Sequence, residues 1–177
     1  WKGKLAHLLP SISKRQRVKH HAAMPYAQVP ALFQAIGITP VLSAKALLLC
    51  VLTATRTSET IQAKWEEIDF ERAIWTIPKE RMKRSRPHNV YLSEQAIDIL
   101  IALKTCAGNS RYLLPSRYEA AEPMCRVVFN RVTAAIAKIA KDDDLPIAPF
   151  TVHDLRRTAS TLLNEVGFNS DWIEKCL

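Results

Sequence analysis

The sequence predicts an α+β fold, mostly helical, with one small three-stranded antiparallel sheet. Three observations predict it. Residues 41–55 are apolar nearly all round and have helical length, the signature of a buried central helix. Residues 67–70, 73–77 and 88–92 are short, alternating and rich in Ile, Val, Trp and Tyr, as half-buried strands are. Helical patterns resume after Ser93 and run to the end of the chain.

The elements follow in order. Residues 1–28 read as a polar, basic connector ending in Met24-Pro25-Tyr26, and residues 29–177 as one domain. A first helix covers 29–36 and is closed by Gly37, and the apolar run 41–55 follows it. Ser58 offers an N-cap for a short helix through Trp65, with Glu59 in its first turn, where an acid suits the helix dipole. Glu71-Arg72 makes a tight turn between the first two strands, and residues 78–87 form a longer basic loop between the second and third. Ser93 caps a helix over 94–104, and a long helix covers 124–140. A helix over 154–166 ends at Gly167, the residue best suited to the left-handed position past a helix end. A last helix starts near Asp171 with Ser170 as its cap.

Composition narrows the function. At 177 residues, with 48% hydrophobic and 24% charged content, the chain describes a globular domain with one core. Its longest apolar run without a charged residue, residues 46–55, is about ten residues, short of the roughly 20 that a bilayer span needs. The start, Trp1-Lys2-Gly3-Lys4, carries neither an initiator Met nor a signal-peptide pattern, so the chain reads as a segment of a longer protein. Cys50, Cys106, Cys125 and Cys176 form no CxxC pair and no metal-ligand spacing, which fits a reducing cytoplasm and no structural metal.

The net charge of +8 is concentrated. Residues 1–21 hold six Lys/Arg and no acid, and residues 79–88 hold five against Glu80, so those blocks carry +10 and the remainder −2. Charge gathered in this way points to a polyanion partner.

Several residues carry candidate chemistry. Arg56 ends a hydrophobic helix, with Glu59 three residues on to hold its guanidinium. Alone, that reads as a helix-end arginine paired with a neighbouring carboxylate. His153 and Arg156 share one helix face, three apart, although alone they read as a capping histidine and a surface arginine. Arg157 points elsewhere, and Thr158 offers a hydroxyl. Lys83 lies in the basic loop with Arg81, Arg84 and Arg86, a setting that usually only touches phosphates. Together they suit a phosphodiester under attack. Guanidinium forks answer charge on the non-bridging oxygens, a lysine can protonate a leaving oxygen, and a histidine can move a proton. With four glycines in the chain, a nucleotide-binding loop is not expected.

These segments resemble the catalytic domain of tyrosine recombinases, the phage-type integrases, in the branch of satellite phages and genomic islands. The resemblance rests on Thr55-Arg56-Thr57-Ser58-Glu59, Ile74-Trp75-Thr76-Ile77-Pro78, Glu80-Arg81-Met82-Lys83, Pro87-His88-Asn89-Val90-Tyr91-Leu92-Ser93 and Phe150-Thr151-Val152-His153-Asp154-Leu155-Arg156-Arg157-Thr158. It implies catalytic roles for Arg56, Lys83, His153 and Arg156, with Glu59 and His88 in support. Arg81, Arg84, Arg86, Arg157 and Thr158 are then expected DNA contacts. It also implies site-specific DNA recombination through a 3′-phosphotyrosyl intermediate, without cofactor or metal. The partner is double-stranded DNA, with a tetramer for the full-length protein. Tyr91 stands where the branch more often has proline. Tyr26, Tyr91, Tyr112 and Tyr118 all precede His153, so the nucleophile is expected beyond Leu177, and this segment is expected to be a monomer that grips DNA without cleaving it. Alternatives are a type IB topoisomerase and a non-catalytic DNA-binding remnant. A general RNA-binding protein ranks last, for want of interleaved aromatics.

Overall fold

A computed structural model describes residues 23–39, 41–82 and 85–177. Helix α1 (Val29–Gly37) leads into α2 (Leu42–Thr53) and the short α3 (Thr57–Ile61). Strands β1 (Ile68–Asp69), β2 (Ile74–Ile77) and β3 (His88–Tyr91) follow. The chain then finishes as α4 (Glu94–Ala107), α5 (Val127–Asp142), α6 (Val152–Glu165) and α7 (Ser170–Cys176). The predicted class holds: a helical domain with one three-stranded antiparallel sheet, in the order β1-β2-β3.

Helix α2 is central because its sequence leaves it no polar face. Ala46, Leu47 and Leu49 are fully buried, and α1, α4, α5 and α6 all pack against it. Leu32 from α1, Leu100 and Leu103 from α4, and Phe129 and Ile136 from α5 close the core around it. The sheet adds one apolar face to that core. In the pairing of Trp75 with Val90 and Ile77 with His88, Trp75 and Ile77 point inward while Thr76 faces solvent. Tyr91, at the position where proline was expected, is exposed on the edge strand β3, where the sheet tolerates either residue.

Several helix starts differ from the sequence reading, two of them because of a capping box. The N-cap of α3 is Arg56, not Ser58, and the helix ends at Ile61, with Trp65–Glu67 a separate 3-10 turn. Glu59, at the third helical position, reaches back to accept the Arg56 backbone N–H at 2.7 Å. Helix α6 begins at Val152 because Thr151 and Asp154 form a capping box. The Thr151 hydroxyl oxygen accepts from the Asp154 N–H, and the Asp154 carboxylate accepts from the Thr151 N–H at 2.9 Å. The cap of α7 is likewise Asn169 rather than Ser170. Gly167 ends α6 as expected, at φ +92°, with its N–H and that of Phe168 bonded to Asn164 and Leu163 carbonyls.

Residues 23–28, read as the end of the connector, lie against the domain. Met24 is buried, and its carbonyl accepts from the Thr158 hydroxyl at 2.9 Å. The rest of the expected connector, residues 1–22, lies outside the described residues.

A chain of buried hydroxyls fixes the turn from α2 to α3. Thr53 Oγ1 donates to the Leu49 carbonyl at 2.7 Å, and Thr53, Thr55 and Thr60 link hydroxyl to hydroxyl at 2.8 Å each. The Cys50 thiol donates to Thr60 at 3.2 Å. Burial pushes this thiol up from about 9 to about 12, the Thr60 bond opposes that rise and Glu59 adds to it. The thiol stays protonated when folded at a pH where the unfolded chain has released the proton. Stability attributable to Cys50 is therefore intact below about pH 9 and falls as pH rises from about 9 to about 12. Urea unfolding of the protein and of Cys50→Ala across this range should show the alkaline slope shallower in the variant. Parallel slopes would remove the assignment.

Candidate active site

The hydroxyl chain holds Ala54 at φ +48°, a left-handed conformation that costs an L-residue about 1–2 kcal/mol. That turn ends α2 and presents the Ala54 carbonyl to Arg156, whose Nη1 donates to it. Arg56 follows two residues later as the N-cap of α3. Its Nη1 donates to Glu59 Oε1 at 2.6 Å, so one buried carboxylate fixes both the backbone and the guanidinium of Arg56. The Arg56 side chain is 42% exposed against 4% for Glu59, so the pair is anchored at its acidic end and open at its basic end.

Helix α6 supplies the second wall. The Thr151–Asp154 box sets its first turn, and His153 and Arg156 then project together, as the three-residue spacing predicted. Arg56, His153 and Arg156 line one cleft of about 190 Å³, together with Thr57, Ser58 and Arg126. Burial, and secondly the nearby Arg56 charge, lower the Arg156 pKa from the usual guanidinium value, while Glu59 pulls it back up. Two guanidinium groups held this close repel each other, and an anion between them relieves the repulsion.

Other expected site residues stand elsewhere. Arg81, expected among the DNA contacts, turns inward: Nη1 donates to the Glu59 carbonyl at 2.8 Å and Nη2 pairs with the Glu67 carboxylate. Glu67 also accepts from Trp75 Nε1 at 3.0 Å. With side-chain exposures of 14% and 7%, this ion pair braces the sheet against α3 and does not face solvent. Thr158, also expected to contact DNA, is buried, its hydroxyl spent on the Met24 and Asp154 carbonyls. Arg157 pairs with Asp154 at 3.5 Å and is not among the cleft residues. His88 begins β3 opposite Ile77 and does not line the cleft. Arg86 is exposed, while Lys83 and Arg84 lie outside the described residues. Arg126 is the cleft residue that the sequence reading missed. It sits in neither basic block and within no motif spacing, so no sequence signal marked it.

Among the described residues, no group of three His, Cys, Asp or Glu could hold a metal ion, and no helix is long and apolar enough to cross a membrane.

The fold is thus a helical domain with a small sheet, and its cleft joins two arginines to a histidine. The chain belongs to the phage integrase family, whose model matches residues 23–177. It is similar to the prophage integrase IntA of Escherichia coli K12, 40% identical over 127 residues that cover 72% of this chain and 29% of that protein. It is 36% identical to the prophage integrase IntZ of the same organism over 168 residues, 94% of this chain and 40% of the other. The integrase of Enterobacteria phage P4 is 29% identical over 88% of this chain and 37% of its own length. The chain thus spans well under half the length of these relatives.

Solved structures share the fold. The Tn1549 transposon integrase in complex with a circular intermediate DNA superposes with a TM-score of 0.76 at 16% identity, over 99% of this chain and 62% of that one. The lambda integrase catalytic core does so with a TM-score of 0.63 at 18% identity, over 89% of this chain and 91% of that core.

Proposed function

We propose that this chain is the phosphate-gripping part of a site-specific DNA recombinase that cuts and rejoins strands through a tyrosine phosphodiester. The observation that carries the reading is the convergence of Arg56, His153 and Arg156 on one cleft, with Glu59 behind Arg56 and the Ala54 carbonyl behind Arg156. Arg56 and Arg156 hold the two non-bridging oxygens of the scissile phosphodiester and answer the charge that builds on them as the nucleophile adds. His153, exposed at the cleft mouth, accepts or returns the nucleophile's proton. Lys83 protonates the 5′ oxygen that leaves. The energy of the broken bond is kept in the 3′-phosphotyrosyl link, so rejoining requires no nucleotide and no metal. The tyrosine comes from outside these 177 residues, and the working assembly is a tetramer on two duplexes.

Binding of the 177-residue chain to duplex DNA tests the grip. The logarithm of affinity should fall linearly with the logarithm of salt concentration, with a slope of about −0.9 for each phosphate contacted. A salt-independent affinity, or none, sinks the reading.

A further inference from the structure

We propose that Arg126 is a further phosphate-binding residue, gripping the phosphate next to the scissile one and so setting the register of the DNA strand in the cleft. The inference rests on the reading of this cleft as a phosphodiester site. Arg126 is the N-cap of α5, a third element that brings a side chain to the wall shared by Arg56, His153 and Arg156. Packing of α5 on α2 and α6 puts it there, not any closeness in sequence.

Two observations mark its charge as built for an external anion. Its surroundings supply no counter-charge: among the described residues no carboxylate lies within ion-pair distance of Arg126, and although the same is true of Arg131 further along the helix, only Arg126 brings its uncompensated charge to the cleft, where Arg56 is already paired with Glu59. Its position is also electrostatically unfavourable in the free protein. A cation at a helix N-terminus faces the positive end of the helix dipole, and Arg126 makes no side-chain capping bond in return. An acidic or hydroxyl residue would suit that position better, unless an anion occupies the space in front of it.

Charge counting then assigns the anion. One phosphodiester carries a single negative charge and two non-bridging oxygens: Arg56 and Arg156 answer one oxygen each, and with Arg56 already paired to Glu59 the Arg156 charge balances the phosphate. A third guanidinium on the same cleft exceeds what that phosphate can neutralise. A continuous strand presents further phosphates on either side, and Arg126 is placed to hold one of them. Contacts of this kind fix orientation and register without reading bases.

The test compares the 177-residue chain with Arg126→Gln, Arg126→Lys and Arg131→Gln, an exposed arginine further along the same helix that does not line the cleft. Affinity for a duplex is measured from about 50 to 200 mM salt by fluorescence anisotropy. Arg126→Gln should weaken binding several-fold at low salt and make the log–log slope shallower by about 0.9, one phosphate contact. Arg126→Lys should keep most of that slope, and Arg131→Gln should keep all of it. If Arg126→Gln retains the parent slope and affinity, or Arg131→Gln loses as much, Arg126 contributes net charge alone and the proposal is overturned. Loss of salt dependence in the unmutated chain would overturn the phosphodiester reading instead, so the two failures are distinguishable.

Discussion

Arg81→Met lowers the unfolding free energy by about 3–5 kcal/mol, measured by urea denaturation with the m-value unchanged. The substitution keeps most of the aliphatic volume but leaves the Glu67 carboxylate, 7% exposed, with the Trp75 indole N–H as its remaining described partner. It also takes a donor from the Glu59 carbonyl. Losing one member of a buried pair costs far more than the pair contributes, because the other charge stays buried and uncompensated. Adding Glu67→Gln to Arg81→Met should therefore recover much of the loss. A loss below about 1 kcal/mol, the range of exposed ion pairs, would mean that water reaches this pair.

On the proposed reading, Arg156→Ala in a longer protein that carries this chain and a tyrosine nucleophile should lower the single-turnover cleavage rate by about 10²–10³-fold. DNA affinity falls by much less, since many contacts share the binding and few face the charge that develops at the reacting phosphorus. Arg156→Lys should restore little of the rate. An ammonium replaces the charge but not the planar fork, which donates to the Ala54 carbonyl and, on the proposed reading, has further N–H groups for a phosphate oxygen. Equal losses in rate and affinity would show that Arg156 binds the ground state and the transition state alike.

The parts of this structure that were legible in the sequence rest on local spacing. The Arg56–Glu59 pair and the shared face of His153 and Arg156 are three-residue relations, and the strands announced themselves by alternation around Trp75 and Val90. The parts that were not legible rest on contacts across the fold. Arg81 reads as a solvated member of a basic run until the hairpin folds back and sets it against Glu67 and the end of α3. Thr158 looked available until Met24, far away in sequence, closed over it. Arg126 was silent because its meaning depends on α5 packing beside α6, which no spacing along the chain encodes. The start of α3 was misplaced by two residues because Ser58 is the better capping side chain by type. A Glu59 carboxylate that serves both the backbone and the guanidinium of Arg56 outweighed that preference.

The most direct measurement is an experimental structure of this chain bound to duplex DNA. The account predicts a backbone phosphate in the cleft, its oxygens about 2.7–2.9 Å from guanidinium nitrogens of both Arg56 and Arg156. His153 should stand beside it, with the next phosphate of the same strand on Arg126. DNA seated on another face, with no phosphate between the two arginines, would contradict it.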